Sequence, residues 1–280
     1  MILNLDPNFK PLKGTEIPFE SFTFNGGEPH IRIGKIDNRE AVHLTHRINS
    51  FNDLGLLCIT VDALRRMRVK NIHLLIPYFL AARQDRVMVK GESLTVKVYA
   101  DMINGLAVDS ITIFDPHSDV TPALLDNCIN VPNHKFIKQV VPLIPKDTIL
   151  ISPDAGASKK IFKLAQTLNI QEVIECGKKR NIVTGELTGF TVPDSELEGK
   201  SCLIVDDICD GGGTFMGLGN ELKKKSAGKL FLAVSHGIFS KGFDQLTSIF
   251  ETVFTTDSIR NISAPQVNQI NLENILNQSL

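Results

Sequence analysis

The stretch CLIVDDICDGGGT, residues 202–214, decides how the rest of the chain is read. Cys202, Leu203, Ile204 and Val205 form a short apolar run with the composition of a buried strand. Asp206 and Asp207 stand at its end, and Asp210 leads into Gly211, Gly212, Gly213 and Thr214, where a helix is expected to begin. Consecutive glycines allow unusual backbone angles and close approach of a ligand. N–H groups and a hydroxyl at a helix start make a nest for an anion, and phosphate fits it. The paired carboxylates would repel a bare phosphate. They suit ribose hydroxyls, with any Mg²⁺ contact direct or through water. A sugar phosphate answers both ends of the loop. No Gly-x4-Gly-Lys-Ser/Thr and no Gly-x-Gly-x-x-Gly occurs in the chain, which closes the common nucleotide-loop readings.

Outward from this segment the same style recurs. Upstream, residues 148–152 read as a strand followed by Pro153-Asp154-Ala155-Gly156, and a helix carries Ile161, Leu164, Ala165 and Leu168. Residues 172–176 read as a strand leading to the basic Lys178-Lys179-Arg180. Downstream, residues 230–234 form a strand followed by His236, and residues 249–254 form another. Lys223-Lys224-Lys225 is expected on a solvated helix surface, without a role. In the first half, residues 52–68 place Leu54, Leu57, Cys58, Val61 and Leu64 on one helix face. Residues 72–79 form a strand, and a helix at residues 93–106 carries Leu94, Val98, Met102 and Leu106. Residues 111–114 form a strand that runs into Asp115-Pro116-His117.

This alternation predicts an α/β protein with parallel sheets, which place ligands at the carboxyl ends of strands. Apart from Lys223-Lys224-Lys225, the polar clusters just named fall there. Pro132, Pro142 and Pro145 interrupt the pattern across residues 131–145, and the chain is divided into domains 1–137 and 138–280.

Lys plus Arg is 30 and Asp plus Glu is 31 in 280 residues, a net charge of −1 that argues against an electrostatically driven nucleic-acid partner. No apolar run approaches the roughly 18 residues of a membrane span, and no secretory signal is read at the N-terminus. The five cysteines (58, 128, 176, 202 and 209) include no Cys-x-x-Cys, so they are read as small apolar side chains in a reducing cytoplasm.

The segment VDDICDGGGT, residues 205–214, resembles the ribose 5-phosphate and diphosphate motif of type I phosphoribosyltransferases and of ribose-phosphate pyrophosphokinases, and it does not separate the two groups. The first half does: VDALRR (61–66) and IPYFLAARQDR (76–86) resemble the pyrophosphokinase family. The resemblance implies two tandem type I phosphoribosyltransferase-like domains with parallel sheets and an active site between them. It implies that Arg83 and Gln84 contact ATP, and that Asp206, Asp207, Asp210, Gly211, Gly212, Gly213 and Thr214 hold ribose 5-phosphate. His117 and Asp154 would serve Mg²⁺, the expected cofactor. Lys178 and Arg180, at the start of a mobile loop, would be catalytic. The segment FNGGE (24–28) resembles one that reaches into the ATP site of a neighbouring subunit, which makes Phe24 and Glu28 ATP-binding residues and the protein a homo-oligomer.

The implied reaction is diphosphoryl transfer from ATP to O1 of ribose 5-phosphate, in the cytoplasm. A phosphoribosyltransferase consuming phosphoribosyl diphosphate, and an inactive regulatory homologue, remain as alternatives. The chain departs from the family at Gly26, where the family has Asn or Asp, and at Val87, Met88 and Val89, where it has basic residues.

Overall fold

The computed structural model describes residues 1–180, 187–193 and 197–276, with the backbone alone for 178–180 and 187–188. It divides into two compact units. The first comprises Met1–Pro132 and Ser258–Asn261, with the segment from Asn271 onward; the second comprises Asn133–Asp257 and Ile262–Ile270.

The first unit begins with β1 (Ile2–Asn4), the hairpin β2 (Phe19–Thr23) and β3 (Pro29–Ile33), and β4 (Ala41–Thr45). Helix α1 (Phe51–Arg66), β5 (Asn71–Ile76), α2 (Thr95–Asn104), β6 (Ser110–Phe114), α3 (Val120–Leu124) and β7 (Cys128–Val131) follow. The sheet runs β1-β4-β5-β6-β7, parallel throughout. Ser50 caps α1 by accepting from the Asp53 N–H at 3.2 Å, which satisfies one of the helix's orphan donors. The helix then buries Leu54, Leu57, Val61 and Leu64, the expected face. With period-2 alternation, Val42, Leu44, Ile72, Leu74, Ile111 and Ile113 join these residues in one core. The opposite alternation carries His43, stacked on His73 at 5.1 Å.

The second unit contains α4 (His134–Val140), β8 (Ile149–Ser152), α5 (Ala155–Leu168), β9 (Val173–Glu175), the hairpin β10 (Gly177–Arg180) and β11 (Leu187–Thr191), and β12 (Cys202–Cys209). Helix α6 (Gly213–Lys224), β13 (Leu230–Gly237), α7 (Asp244–Thr247), β14 (Thr252–Thr256) and β15 (Val267–Ile270) complete it, and α8 (Leu272–Leu276) returns to the first unit. The sheet order is β15-β14-β13-β12-β8-β9, again all parallel. β13 is buried along its whole length, as a strand covered on both faces must be.

The division falls just after β7, so α4 belongs to the second unit rather than to residues 1–137. The segment 258–261 counts with the first unit because hydrogen bonds hold it there. Asn261 Oδ1 accepts from Arg47 Nη1 at 2.8 Å, Asn261 Nδ2 donates to the Asn8 carbonyl at 3.0 Å, and Asn49 Nδ2 donates to the Ile259 carbonyl at 3.3 Å. All five cysteines are free thiols: Cys176, Cys202 and Cys209 are buried, and Cys58 and Cys128 half-buried. Among the described residues no helix is long and apolar enough to cross a membrane.

Two histidines of the first unit tie stability to pH. Burial lowers the pKa of His43, reinforced by the charge of His73 and of the N-terminal amine. Burial also lowers that of His46, which outweighs the opposing carboxylates of Asp53 and Asp6. Each folded pKa lies below the ordinary 6.5, so unfolding takes up protons and stability rises with pH through that window. Thermal melting between about pH 5 and pH 7.5 should show the midpoint climbing. His46→Gln should flatten part of the climb.

Candidate functional site

From β8 the second unit's chain goes outward to β9, then back past β8 to β12, and onward through β13 and β14. The strand order therefore reverses between β8 and β12, and open parallel sheets bind ligands outside the carboxyl ends at such a point. The register pairs Cys202 with Ile149 and Ile204 with Ile151. The segment after Ser152 and the acids after Val205 thus emerge side by side. Asp154 caps α5: its Oδ1 accepts from the Ala157 N–H at 3.0 Å, and its carbonyl accepts from the Ser152 hydroxyl at 2.9 Å.

β12 is longer than the apolar run suggests. Its ladder with β13 continues to Cys209 opposite Gly237, so Asp206 and Asp207 lie within the strand and only Asp210 to Gly212 form the loop. Asp207 is 9% exposed and Asp206 half-buried. Asp206 Oδ1 accepts from the Asp207 N–H at 2.9 Å, which leaves the pair pre-set at the strand end. Gly212 adopts φ +76°, where a Cβ would sit 3.0 Å from Leu246 Cδ2, so both the turn and the packing require glycine. Gly213 opens α6, with nothing within 4 Å of where its Cβ would be. Gly211 and Thr214 are half-buried. The Gly212 N–H donates to the Cys209 sulfur, and the N–H groups of the first turn of α6 have no intrahelical partner. The Cys209 thiol is pushed up to about 12 by burial and then by the flanking Asp206 and Asp210 carboxylates, so it remains protonated.

The hairpin of β10 and β11 presents Lys178 and Arg180, whose side chains lie outside the described residues, as does the loop segment 181–186. The hairpin's attachment is described. Lys178 pairs with Phe190, and the Phe190 ring lies on α6 at Gly217, where a Cβ would overlap Cε2 and come within 2.9 Å of Cδ2. The absence of a side chain at 217 seats the basic strand on the helix whose N-terminus forms the nest.

In the first unit, Arg83 and Gln84 are exposed on the turn after β5, where Ala81 takes φ +66° and the Gln84 N–H donates to the Ala81 carbonyl at 2.8 Å. His117 is exposed after β6. Buried Asp85 links the two loops. Its Oδ1 accepts from Arg86 Nε at 3.0 Å, and its pKa is lowered by Arg86 first, with a hydrogen bond from Ser118 and the charge of His117 adding to it. Asp85 sits inside the IPYFLAARQDR motif beside Arg83 and Gln84, and its residue type alone does not announce this linking position. Phe24 and Glu28 lie at the tip of the β2–β3 hairpin. Phe24 packs edge-on against Phe22 at 4.8 Å and lies 5.6 Å from His30, while both phenylalanines remain 52% exposed. A Cβ at Gly26 would fall 2.6 Å from Glu28 Oε2, so glycine here lets the glutamate fold over the turn.

A family model described as the N-terminal domain of ribose phosphate pyrophosphokinase matches residues 12–106, which hold Phe24, Glu28, Arg83 and Gln84. The chain is 31% identical over 249 residues to a ribose-phosphate pyrophosphokinase of Mycoplasma genitalium, covering 84% of this chain and 74% of that one. The chain belongs to the ribose-phosphate pyrophosphokinase family. A ribose-phosphate pyrophosphokinase of Thermococcus kodakarensis is 29% identical over 239 residues, 84% of each chain. The crystal structure of a phosphoribosylpyrophosphate synthetase from Mycobacterium smegmatis shares the fold, with a TM-score of 0.84 at 22% identity over 100% of this chain and 96% of that one. Membership in the pyrophosphokinase family resolves the choice that the acid-glycine loop left open, and gives the two units their phosphoribosyltransferase-like character.

The Phe190–Gly217 contact can be tested directly. Gly217→Ala should speed hydrogen exchange at the amides of residues 177–180 and 187–191 by about tenfold or more, while β12 keeps its protection. Exchange unchanged across the hairpin would show that another contact holds it.

Proposed function

We propose that the chain is a ribose-phosphate diphosphokinase, which transfers the diphosphoryl group of ATP to O1 of ribose 5-phosphate and releases phosphoribosyl diphosphate and AMP. The observation that carries the reading is the end of β12 in a chain of this family: two carboxylates held in the strand, then a glycine nest at the start of α6. Asp206 and Asp207 accept hydrogen bonds from the ribose hydroxyls. The N–H groups of Gly211, Gly213 and Thr214 take the 5-phosphate, with Gly212 making the turn that aims them. Arg83 and Gln84 hold ATP, the guanidinium pairing with phosphate oxygens or stacking on the base. O1 attacks the β-phosphorus in line. The bond from that phosphorus to the α,β-bridging oxygen breaks, AMP leaves with this oxygen, and the proton of the sugar hydroxyl passes to solvent. Positioning and electrostatics supply the acceleration. Lys178 and Arg180 compensate the charge that develops on the transferred group.

Mg²⁺ is the metal this reading assigns to the phosphate chemistry. Among the described residues no three His, Cys, Asp or Glu side chains converge on one point. Mg²⁺ in phosphate chemistry is held by one or two carboxylates together with phosphates and water. His117 and Asp154 are the residues assigned to it, and when bound it lowers the repulsion between the phosphates and the incoming oxygen. The exposed Phe22 and Phe24 rings suit insertion into a second copy, making the enzyme a homo-oligomer whose ATP site is completed by Phe24 and Glu28 of a neighbour. Five free thiols, three of them buried, accord with the cytoplasm as the place of action.

Purified protein supplied with Mg²⁺, ATP and ribose 5-phosphate should release AMP in step with phosphoribosyl diphosphate; no AMP removes the reading. EDTA should stop the release and excess Mg²⁺ restore it. Lys178→Ala should lower kcat by about 10²–10³. An unchanged kcat at saturating ATP takes Lys178 out of the mechanism.

A further inference from the structure

The nest carries a charge problem of its own. Residues 206–214 contain three aspartates and no lysine or arginine. A phosphate monoester brings about −1.5 to −2 more, against neutral N–H donors. The chain after β13 is built onto this loop. The N–H groups of Ile238 and Phe239 donate to the Cys209 carbonyl at 2.9 and 3.1 Å, and that of Ser240 donates to the Asp210 carbonyl at 3.1 Å. The Ser240 hydroxyl donates to Asp210 Oδ1 at 2.7 Å. Phe239 is buried with φ +47°, its ring 4.8 Å from that of Phe243. The turn closes at Gly242, where φ is +73° and the N–H donates to the Phe239 carbonyl at 3.1 Å.

Lys241 is thus held between two anchored neighbours, and its stem lies along Gly211. A Cβ on Gly211 would fall 3.4 Å from Lys241 Cδ and 3.4 Å from Cε. The ammonium is one C–N bond of about 1.5 Å further on, hence within about 5 Å of that point. The head is exposed and stays hydrated while the stem covers the glycine, the usual division of labour in a lysine side chain. We propose that Lys241 is a further substrate-binding residue, a cation laid against Gly211 to take the 5-phosphate of the sugar alongside the N–H groups of the nest. The proposal rests on the ribose 5-phosphate reading above and adds to it the counter-charge that residues 206–214 lack. It also gives Gly211 a purpose distinct from that of Gly212: its φ is not positive, and it leaves room for the lysine stem. Lysine meets phosphate as a point charge, which places few demands on its angle of approach.

Lys241→Met keeps most of the stem and removes the charge, and Lys241→Arg restores it. Calorimetry on the full chain without ATP, with ribose 5-phosphate and separately with inorganic phosphate, reads binding directly. Steady-state kinetics read the split between KM and kcat. In Lys241→Met the Kd and KM for ribose 5-phosphate should rise about tenfold or more. KM for ATP should stay within about twofold, and kcat should fall by less than KM rises. Lys241→Arg should recover most of the affinity, and the gap between wild type and Lys241→Met should narrow as KCl is raised from about 0.05 to 0.5 M. A Kd for ribose 5-phosphate within about twofold of wild type in Lys241→Met overturns the assignment, as does equal weakening for unphosphorylated ribose. The outcome is separable from that of the overall reaction. If wild type binds ribose 5-phosphate but releases no AMP, diphosphoryl transfer falls and the Kd ratio still judges Lys241. If wild type binds neither ribose 5-phosphate nor inorganic phosphate, Lys241 has no phosphate to take and the assignment is overturned.

Discussion

β12 is hydrogen-bonded on both sides, to β8 through Ile204 and to β13 through Cys209, and this double pairing is the constraint on which the second unit depends. A parallel strand inside a sheet cannot slip by one residue without turning every side chain to the wrong face. Asp206 and Asp207 therefore hold opposite alternations at a fixed height. The chain must then leave the sheet at once, and the left-handed Gly212 is the hinge that lets α6 begin within four residues of the strand. Moving either end would cost the nest, the carboxylate pair or the ladder.

The same constraint explains which parts of the molecule could be read from the amino acids. Strands with apolar runs and helices with one apolar face were legible, since periodicity reports burial. The end of β12 was not: the apolar run stops at Val205, yet the ladder continues beside β13, which carries its own buried polar residues Ser235 and His236. Tertiary pairing overrode local composition. The three-residue edge strand β1 and the short β7 and β15 were unreadable for a related reason: they are strands because a neighbour pairs with them. The acids, glycines and Arg83-Gln84 were recognisable as chemistry. What fixes them in place was not, because it comes from distant residues: Phe190 seated on Gly217, Ser240 on Asp210, and Asp85 between the loops after β5 and β6.

Backbone strain marks the first unit's strand ends in a way that residue types alone do not announce. Ala81 and Asp115 adopt φ of +66° and +42° after β5 and β6. Such conformations in residues other than glycine cost on the order of 1–3 kcal/mol each and persist only where the surroundings over-determine them. The surroundings do so here. Asp115 is buried and its N–H donates to the Val131 carbonyl at 2.8 Å, and Ala81 is closed by the Gln84 N–H at 2.8 Å. Both strained residues aim the chain so that Arg83, Gln84 and His117 stand exposed above a rigid sheet.

The two units share an architecture and differ in the charge at their strand ends, and that difference supports the proposed division of the substrates between them. After β5 and β6 the first unit offers Arg83 and an imidazole, with Asp85 and Arg86 paired to each other. After β8 and β12 the second unit offers the carboxylates of Asp154, Asp206 and Asp207, with the stem of Lys241 lying beside Gly211. A nucleoside triphosphate is mostly phosphate charge and suits guanidinium groups, which pair with phosphate oxygens two at a time. A pentose monophosphate presents mostly hydroxyls, which carboxylates accept, and one phosphate that a nest and a single ammonium can hold. Exchanging the two sets would set carboxylates against a polyphosphate and leave the sugar hydroxyls facing donors already occupied with charge. The proposed pairing of acids with the sugar and cations with the nucleotide accords with this electrostatic asymmetry, on strands whose backbone is otherwise alike.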